Sequence, residues 1–405
     1  MLLVQKYLEE HTFGDLAKEH GVYASFSSSG HKFSLNYDQI EARESDPLSQ
    51  ECRGLILALS DGRPVFGESL PDGKLNRDNI IPGLTQVVAY PMKRFFNHGQ
   101  GSAANINWHD SGISILEKMD GTLTILYFDK VSSEWHVATR SVPEANLIID
   151  NGYYTFRTLF EKALKDTTGL SFVDFTSQLD KSITYCFELT TPLNRIVVKY
   201  DNYKITLLAA RSLDSLHELD IQTLSVCGVP CVHAYPLATI DQILEWVSSQ
   251  NPLEHEGVVV RDSKYNRIKV KNASYVAFNK ARDTLGTSDR NCLELVLAEK
   301  DDDVIPALPQ EIVDNLLKIK SGVQKLLLDY DSLYQSVLAQ ANEILPGDKK
   351  TFAILINKNK EIWSAPFFQM FDGRVINMKD FILKSKKEGT WSNSLLDKIL
   401  EIISK

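Results

Sequence analysis

The residues best equipped for chemistry lie in Glu117-Lys118-Met119-Asp120-Gly121-Thr122, where an apolar strand ends in a lysine and is followed by an acid, a glycine and a hydroxyl. A lysine at a strand end beside a glycine turn brings its amine to the rim of a sheet, with room for a ligand beside it. The same stretch would also serve as an exposed hairpin turn, the commoner use of such residues. Other segments add charges in apolar settings: Arg53 before Gly54-Leu55-Ile56-Leu57, Glu188 after Tyr185-Cys186-Phe187, and Glu256 before Gly257-Val258-Val259-Val260. In Arg267-Ile268-Lys269-Val270-Lys271, positions two apart share a face, so Lys269 and Lys271 point one way and Ile268 and Val270 point into the core. Each alone reads as a solvated strand face, but together in one domain they describe a polyphosphate pocket.

The elements that must position these groups follow from periodicity. Residues 1–20 have the spacing of one or two short amphipathic helices, and Ser27-Ser28-Ser29-Gly30 is a turn. From about 50 to 275 short strands are expected at 54–59, 113–118, 123–128, 183–188, 195–198, 204–208 and 257–260, with helices at 153–166 and 239–249. That half is therefore α+β and dominated by antiparallel sheet. Beyond about 280 the spacing turns helical, over 311–320, 323–344, 349–357, 376–385 and 393–403. The expected division is a sheet domain over 1–280 and an all-α C-terminal domain over 281–405.

With 405 residues, two domains is the natural prior. The stretch from Met1 to Glu10 meets acids before any apolar run is long enough for a signal peptide, and no later run approaches a membrane span. The expectation is an intracellular, cytoplasmic protein that does not engage membranes. Five scattered cysteines do not describe a disulfide framework, and Cys227, Cys231 and His233 lack the second pair that zinc needs. A net charge of −9 argues against a general nucleic-acid coat but not against a local basic groove. Arg261, Lys264, Arg267, Lys269, Lys271, Lys280 and Arg282 fall close together, while acids gather elsewhere, as in Asp301-Asp302-Asp303.

Taken in order, these segments resemble the covalent nucleotidyltransferases, and within them the RNA ligase 1 family of T-even phage type. Lys118-x-Asp120-Gly121-Thr122 resembles motif I, and Glu51-Cys52-Arg53-Gly54 the upstream arginine element. Pro91-Met92-Lys93-Arg94-Phe95-Phe96-Asn97 is similar to the basic element before a Phe-Phe-Asn run. Phe187-Glu188 with Pro192-Leu193-Asn194-Arg195-Ile196-Val197 resembles motif III, Glu256-Gly257 motif IV and Lys269-Val270-Lys271 motif V. Asp348-Lys349-Lys350-Thr351-Phe352-Ala353 is similar to part of that family's helical C-terminal domain. Two departures stand out: Arg94, with Lys93 beside it, replaces the usual lysine before Phe-Phe-Asn, and Met119 and Thr122 replace a glutamate and a serine.

The resemblance implies an adenylyltransferase domain that joins 5′-phosphate to 3′-hydroxyl RNA ends with ATP and magnesium, or manganese, through lysyl-AMP on Lys118. A lysine of ordinary pKa, about 10.4, is almost wholly protonated at neutral pH, so neighbouring cations must favour the free amine. Arg53, Lys93 or Arg94, Lys269 and Lys271 would do so and hold the triphosphate, with Arg140 as a further phosphate contact and Gly121 at the nucleotide. Glu256 is implied as a metal ligand and catalytic residue. Glu188 is implied at the ribose or at the metal, and Asp120 as a group that positions Lys118 or acts in sealing. A monomer acting on RNA, including cleaved tRNA chosen by the C-terminal domain, completes the expectation. The competing readings are a DNA ligase or capping enzyme, which would append a β-barrel after motif V, and a non-catalytic RNA-binding protein on the same fold.

Overall fold

The computed structural model describes residues 1–70, 74–146, 148–149, 154–285, 288–301, 305, 308, 310–358, 363–386 and 390–404, without the side chains of 149, 281–285 and 311. The side chain of Arg282, from the expected basic segment, and Asp302 and Asp303 from the acidic run lie outside the described residues. Two units divide the chain, Met1–Val276 and Ala277–Lys405.

In the first unit, strand Arg53–Leu59 shows how the layers form. It sits third in a four-stranded antiparallel sheet with Val22–Phe26, Lys32–Tyr37 and Thr85–Ala89. Leu55, Leu57 and Leu59 pack with Val4, Leu8, Phe13 and Leu16 of the N-terminal helices, while Ile56 and Ala58 pack with Ile125, Tyr127 and Cys186 of a second sheet. A strand covered on both faces needs an unbroken apolar run, and this one has it. The second sheet contains Glu134–Thr139, Thr122–Asp129, Ile183–Thr190, Lys204–Ser212 and Glu218–Leu219. Its other face, with Leu126, Phe187 and Leu207, is covered by Leu159, Phe160, Ala163 and Leu164 of helix Phe156–Thr168.

A third sheet holds Ala234–Tyr235, Ser114–Glu117, Gly257–Arg261, Arg267–Lys271 and Phe96–Asn97. Ile115, Val258, Val260, Ile268 and Val270 pack on Ile243 and Val247 of helix Ile240–Ser249. Strands Ser114–Glu117 and Thr122–Asp129 therefore belong to different sheets, and Lys118–Gly121 is a crossing between sheets rather than a hairpin turn.

Two expected elements differ. Residues 195–198 form no strand, because the amides of Val197 and Val198 donate to the Asp120 carboxylate and leave no free edge for pairing. Strands also begin earlier than residue 50, at Val22 and Lys32.

The second unit is helical: Asp289–Leu297, Gln310–Ile344, Lys349–Asn357, Ala365–Phe371, Met378–Lys384 and Asn393–Ile403, with no strand among its described residues. Leu316, Val323, Leu326, Tyr330, Tyr334, Phe352, Phe367, Leu396 and Ile399 form its core. The helices expected at 311–320 and 323–344 are one helix. Gly322 does not interrupt it, because a Cβ there would lie 2.9 Å from Cβ of Ile403, so the glycine marks where the last helix packs. Among the described residues no helix is long and apolar enough to cross a membrane.

Candidate active site

Strand pairing carries Lys118 to its neighbours. Its amide donates to the Gly257 carbonyl at 3.0 Å, one step past the ladder between Ser114–Glu117 and Gly257–Arg261. Gly257 pairs in turn with Lys271. At φ +145°, a Cβ at Gly257 would lie 2.1 Å from the Val270 carbonyl oxygen, so only glycine allows this approach. Three distant charges consequently meet: Lys118 Nζ lies 2.7 Å from Glu256 Oε2, and Lys271 Nζ lies 2.7 Å from Glu256 Oε1. Glu256 is only 4% exposed, so one buried carboxylate bridges two ammonium groups.

More cations adjoin this trio. Lys269 shares the strand face of Lys271, and its Nζ and the Arg53 guanidinium each lie 5.4 Å from the centre of the Phe95 ring. Burial, with Lys271, Lys118 and Arg53 nearby, pushes the Lys269 ammonium down to about 8. Burial also lowers Arg53, helped by Arg140. Arg53 Nη1 is buried without a hydrogen-bond partner among the described residues. An orphaned guanidinium N–H is costly, and an anionic oxygen placed there would remove the cost.

The carboxylates divide by environment. Glu188 accepts from the Gly121 amide at 2.9 Å, and burial pushes its carboxyl up to about 7, with Glu256 adding to the rise and Lys118 opposing it. A Cβ at Gly121 would lie 2.5 Å from the Leu189 carbonyl oxygen, which is why the turn can sit so close to that strand. Asp120 is 2% exposed. Its Oδ2 accepts from the Val197 and Val198 amides at 2.8 and 2.7 Å, and its Oδ1 from the Tyr275 hydroxyl at 2.5 Å. Asp120 thus ties the turn carrying Lys118 to two other segments.

Not every expected residue joins the cluster. The Arg94 and Arg140 guanidinium groups flank the Tyr37 ring, at 4.0 and 5.8 Å from its centre, and Arg94 Nη1 donates to the Ala42 carbonyl. Arg140 acts on Arg53 through charge, while Lys93 is exposed and, with Arg94 and Phe95, lines a neighbouring cleft. Sequence reasoning missed Tyr275, Tyr200, whose hydroxyl accepts from the Asp120 amide, and Tyr37. Tyr275, four residues after Lys271, and Tyr200, three after Val197, lay close enough to recognised segments to have been suspected, whereas Tyr37 did not.

The profile of the RNA ligase family matches residues 51–275, more than half of the chain and the whole span from Arg53 to Tyr275, and the chain belongs to that family. A polynucleotide kinase/RNA ligase of Autographa californica nuclear polyhedrosis virus is 28% identical over 289 residues, 68% of this chain and 37% of that protein. An RNA ligase of Rhodothermus phage RM378 is 25% identical over 351 residues, 71% of this chain and 78% of that protein. The chain thus spans little more than a third of the first relative. Among solved structures, an archaeal ATP-dependent RNA ligase aligns over 76% of this chain and 78% of its own, with 14% identity and a TM-score of 0.42.

Proposed function

We propose that the chain is an ATP-dependent RNA ligase that joins 5′-phosphate and 3′-hydroxyl RNA ends through lysyl-AMP on Lys118. The observation that carries this reading is the Lys118–Glu256–Lys271 contact, with Lys269, Arg53 and Glu188 gathered around it from separate strands. A binding module has no use for an amine so placed.

In the first step Lys118 Nζ attacks the α-phosphorus of ATP. The phosphorus–oxygen bond to pyrophosphate breaks, and Glu256 lies within reach of the proton the amine must lose. Lys269, Lys271 and Arg53 hold the phosphates and offset charge developing on pyrophosphate. AMP then passes to the RNA 5′-phosphate, and a 3′-hydroxyl displaces AMP. Glu188 and Glu256 fit a divalent cation: both are buried, and Glu256 adds to the rise of the Glu188 carboxyl, a repulsion that a cation held by the two would relieve. Magnesium prefers one or two carboxylates completed by phosphates and water, a set these two glutamates and a bound triphosphate would supply. When bound, the cation would polarise the phosphoryl oxygens. The helical unit is read as the part that selects RNA, cleaved tRNA included, and repair of cut RNA in the cytoplasm as the setting.

Incubation with α-labelled ATP and magnesium, without RNA, tests this directly. Label is expected on the wild type and not on Lys118→Ala; equal labelling of both, or of neither, would sink the reading.

A further inference from the structure

A second basic recess lies beside the nucleotide cluster, a cleft of about 520 Å3 whose lining includes Tyr90, Lys93, Arg211, Lys264, Tyr265 and Arg267. None of its interior charges is needed for the chemistry above. Arg211 and Arg267 share one carboxylate, Glu218, at 2.8 and 2.6 Å, so the recess keeps a surplus of positive charge once Lys93 and Lys264 are added. Two buried polar atoms have no hydrogen-bond partner among the described residues: the Tyr90 hydroxyl, on a residue 1% exposed, and Arg211 Nε, on a residue 7% exposed. Native interiors seldom leave such groups unmatched, and both belong to residues lining the cleft.

The rim adds an aromatic surface. Tyr265 has φ +64°, a left-handed conformation that is costly for a bulky side chain. The turn is fixed there by Asp262, which accepts from the Lys264 and Asn266 amides and from the Asn266 side chain. It presents a ring and the exposed Lys264 at the recess. Cations, buried donors and a fixed aromatic ring together match single-stranded RNA, whose phosphates take the charges and whose bases stack. Location fits as well: Arg267 is on the face of the strand that carries Lys269 and Lys271, about 13 Å from Lys271 at the usual rise.

We propose that this cleft binds a phosphodiester and a stacked base of the single-stranded RNA whose end reaches Lys118. The inference rests on the ligase reading but is tested separately from it. Binding of a fluorescent 5′-phosphorylated RNA oligonucleotide is measured by polarisation, beside RNA-free labelling by ATP, for wild type, Lys264→Glu and Tyr265→Gly. Glycine suits the positive φ, so the second variant removes the ring without straining the turn. Each is expected to weaken RNA binding about tenfold, within the range of a single base stack, with a shallower salt dependence for Lys264→Glu and unchanged lysyl-AMP formation. Unchanged RNA affinity in both variants overturns the proposal, as does displacement of the oligonucleotide by an equal concentration of inorganic phosphate. Failure of wild-type labelling would overturn the ligase reading alone, since polarisation still reports on the cleft.

Discussion

Lys118 Nζ lies 2.7 Å from Glu256 Oε2, so the amine of the proposed nucleophile rests against a buried carboxylate 138 residues away in sequence. Without that carboxylate, Lys118 would face Lys269, Lys271 and Arg53 with only Glu188 as an acidic neighbour, and the neutral amine would be favoured. Glu256→Gln is therefore expected to speed modification of Lys118 by an amine-reactive reagent at neutral pH, about tenfold for each pKa unit lost, while abolishing labelling from ATP. Peptide mapping by mass spectrometry gives the first rate. Slower modification in the variant would show that Glu256 does not hold the proton.

Asp120 makes a separate demand on stability. Three donors converge on its buried carboxylate, and an amide in its place would point an N–H at one of them. Asp120→Asn is expected to cost about 2–3 kcal/mol, and Tyr275→Phe about 1 kcal/mol. Thermal unfolding of both variants checks this. An unchanged Tm for Asp120→Asn would mean that its part is purely chemical.

Lys269 gives a proton signature. With its ammonium pushed down to about 8, roughly half of the molecules carry it neutral at that pH. Phosphates placed beside it favour the charged form, so ATP binding near pH 8 is expected to take up protons. Calorimetry in buffers of different ionisation enthalpy measures the uptake, and Lys269→Arg, always charged, should eliminate the Lys269 part of it. Proton release in the wild type at that pH would contradict the assignment.

Glu188 couples the site to folding. Its folded pKa is raised from 4.5 to about 7, so its contribution to stability is fully present below about 4.5 and is lost as pH rises through 7, by up to about 3 kcal/mol. Glu188→Gln is expected to flatten that dependence and to be more stable relative to wild type at pH 8 than at pH 4. Denaturant melts at the two pH values measure the difference, and parallel changes in both proteins would refute it.

The strand segments were legible in the sequence where one residue type dominates a face. Ile268 and Val270 are buried and Lys269 and Lys271 are not, as the two-residue period requires. Periodicity was silent on contacts made across sheets. It could not show that Glu256 reaches Lys118 and Lys271 at once, nor that residues 195–198, apolar enough for a strand, give their amides to Asp120. Tyr37 escaped notice for the same reason, because its role as a platform for Arg94 and Arg140 depends on three segments folding together. Lys93 and Arg94 both line the neighbouring cleft, yet Arg94 also stacks on Tyr37 while Lys93 is exposed, a difference that spacing alone does not encode.

The division of the chain leads to a last expectation. The sheets that position Lys118 have their own apolar clusters, and the helical residues from Leu293 to Ile399 form a separate one. Helix Ala273–Leu285 must be kept in any shortened protein, because Tyr275 near its start bonds Asp120. A protein ending at residue 285 is thus expected to fold and to form lysyl-AMP with ATP and magnesium at a rate within a few-fold of the full chain, while its choice among RNA ends changes. Ending it at residue 272 should instead lower Tm by the loss of the Tyr275 hydrogen bond and of the ring beneath Lys271, about 1–3 kcal/mol together. A cooperatively folded 1–285 protein that takes no label would show that the helical unit takes part in adenylylation itself.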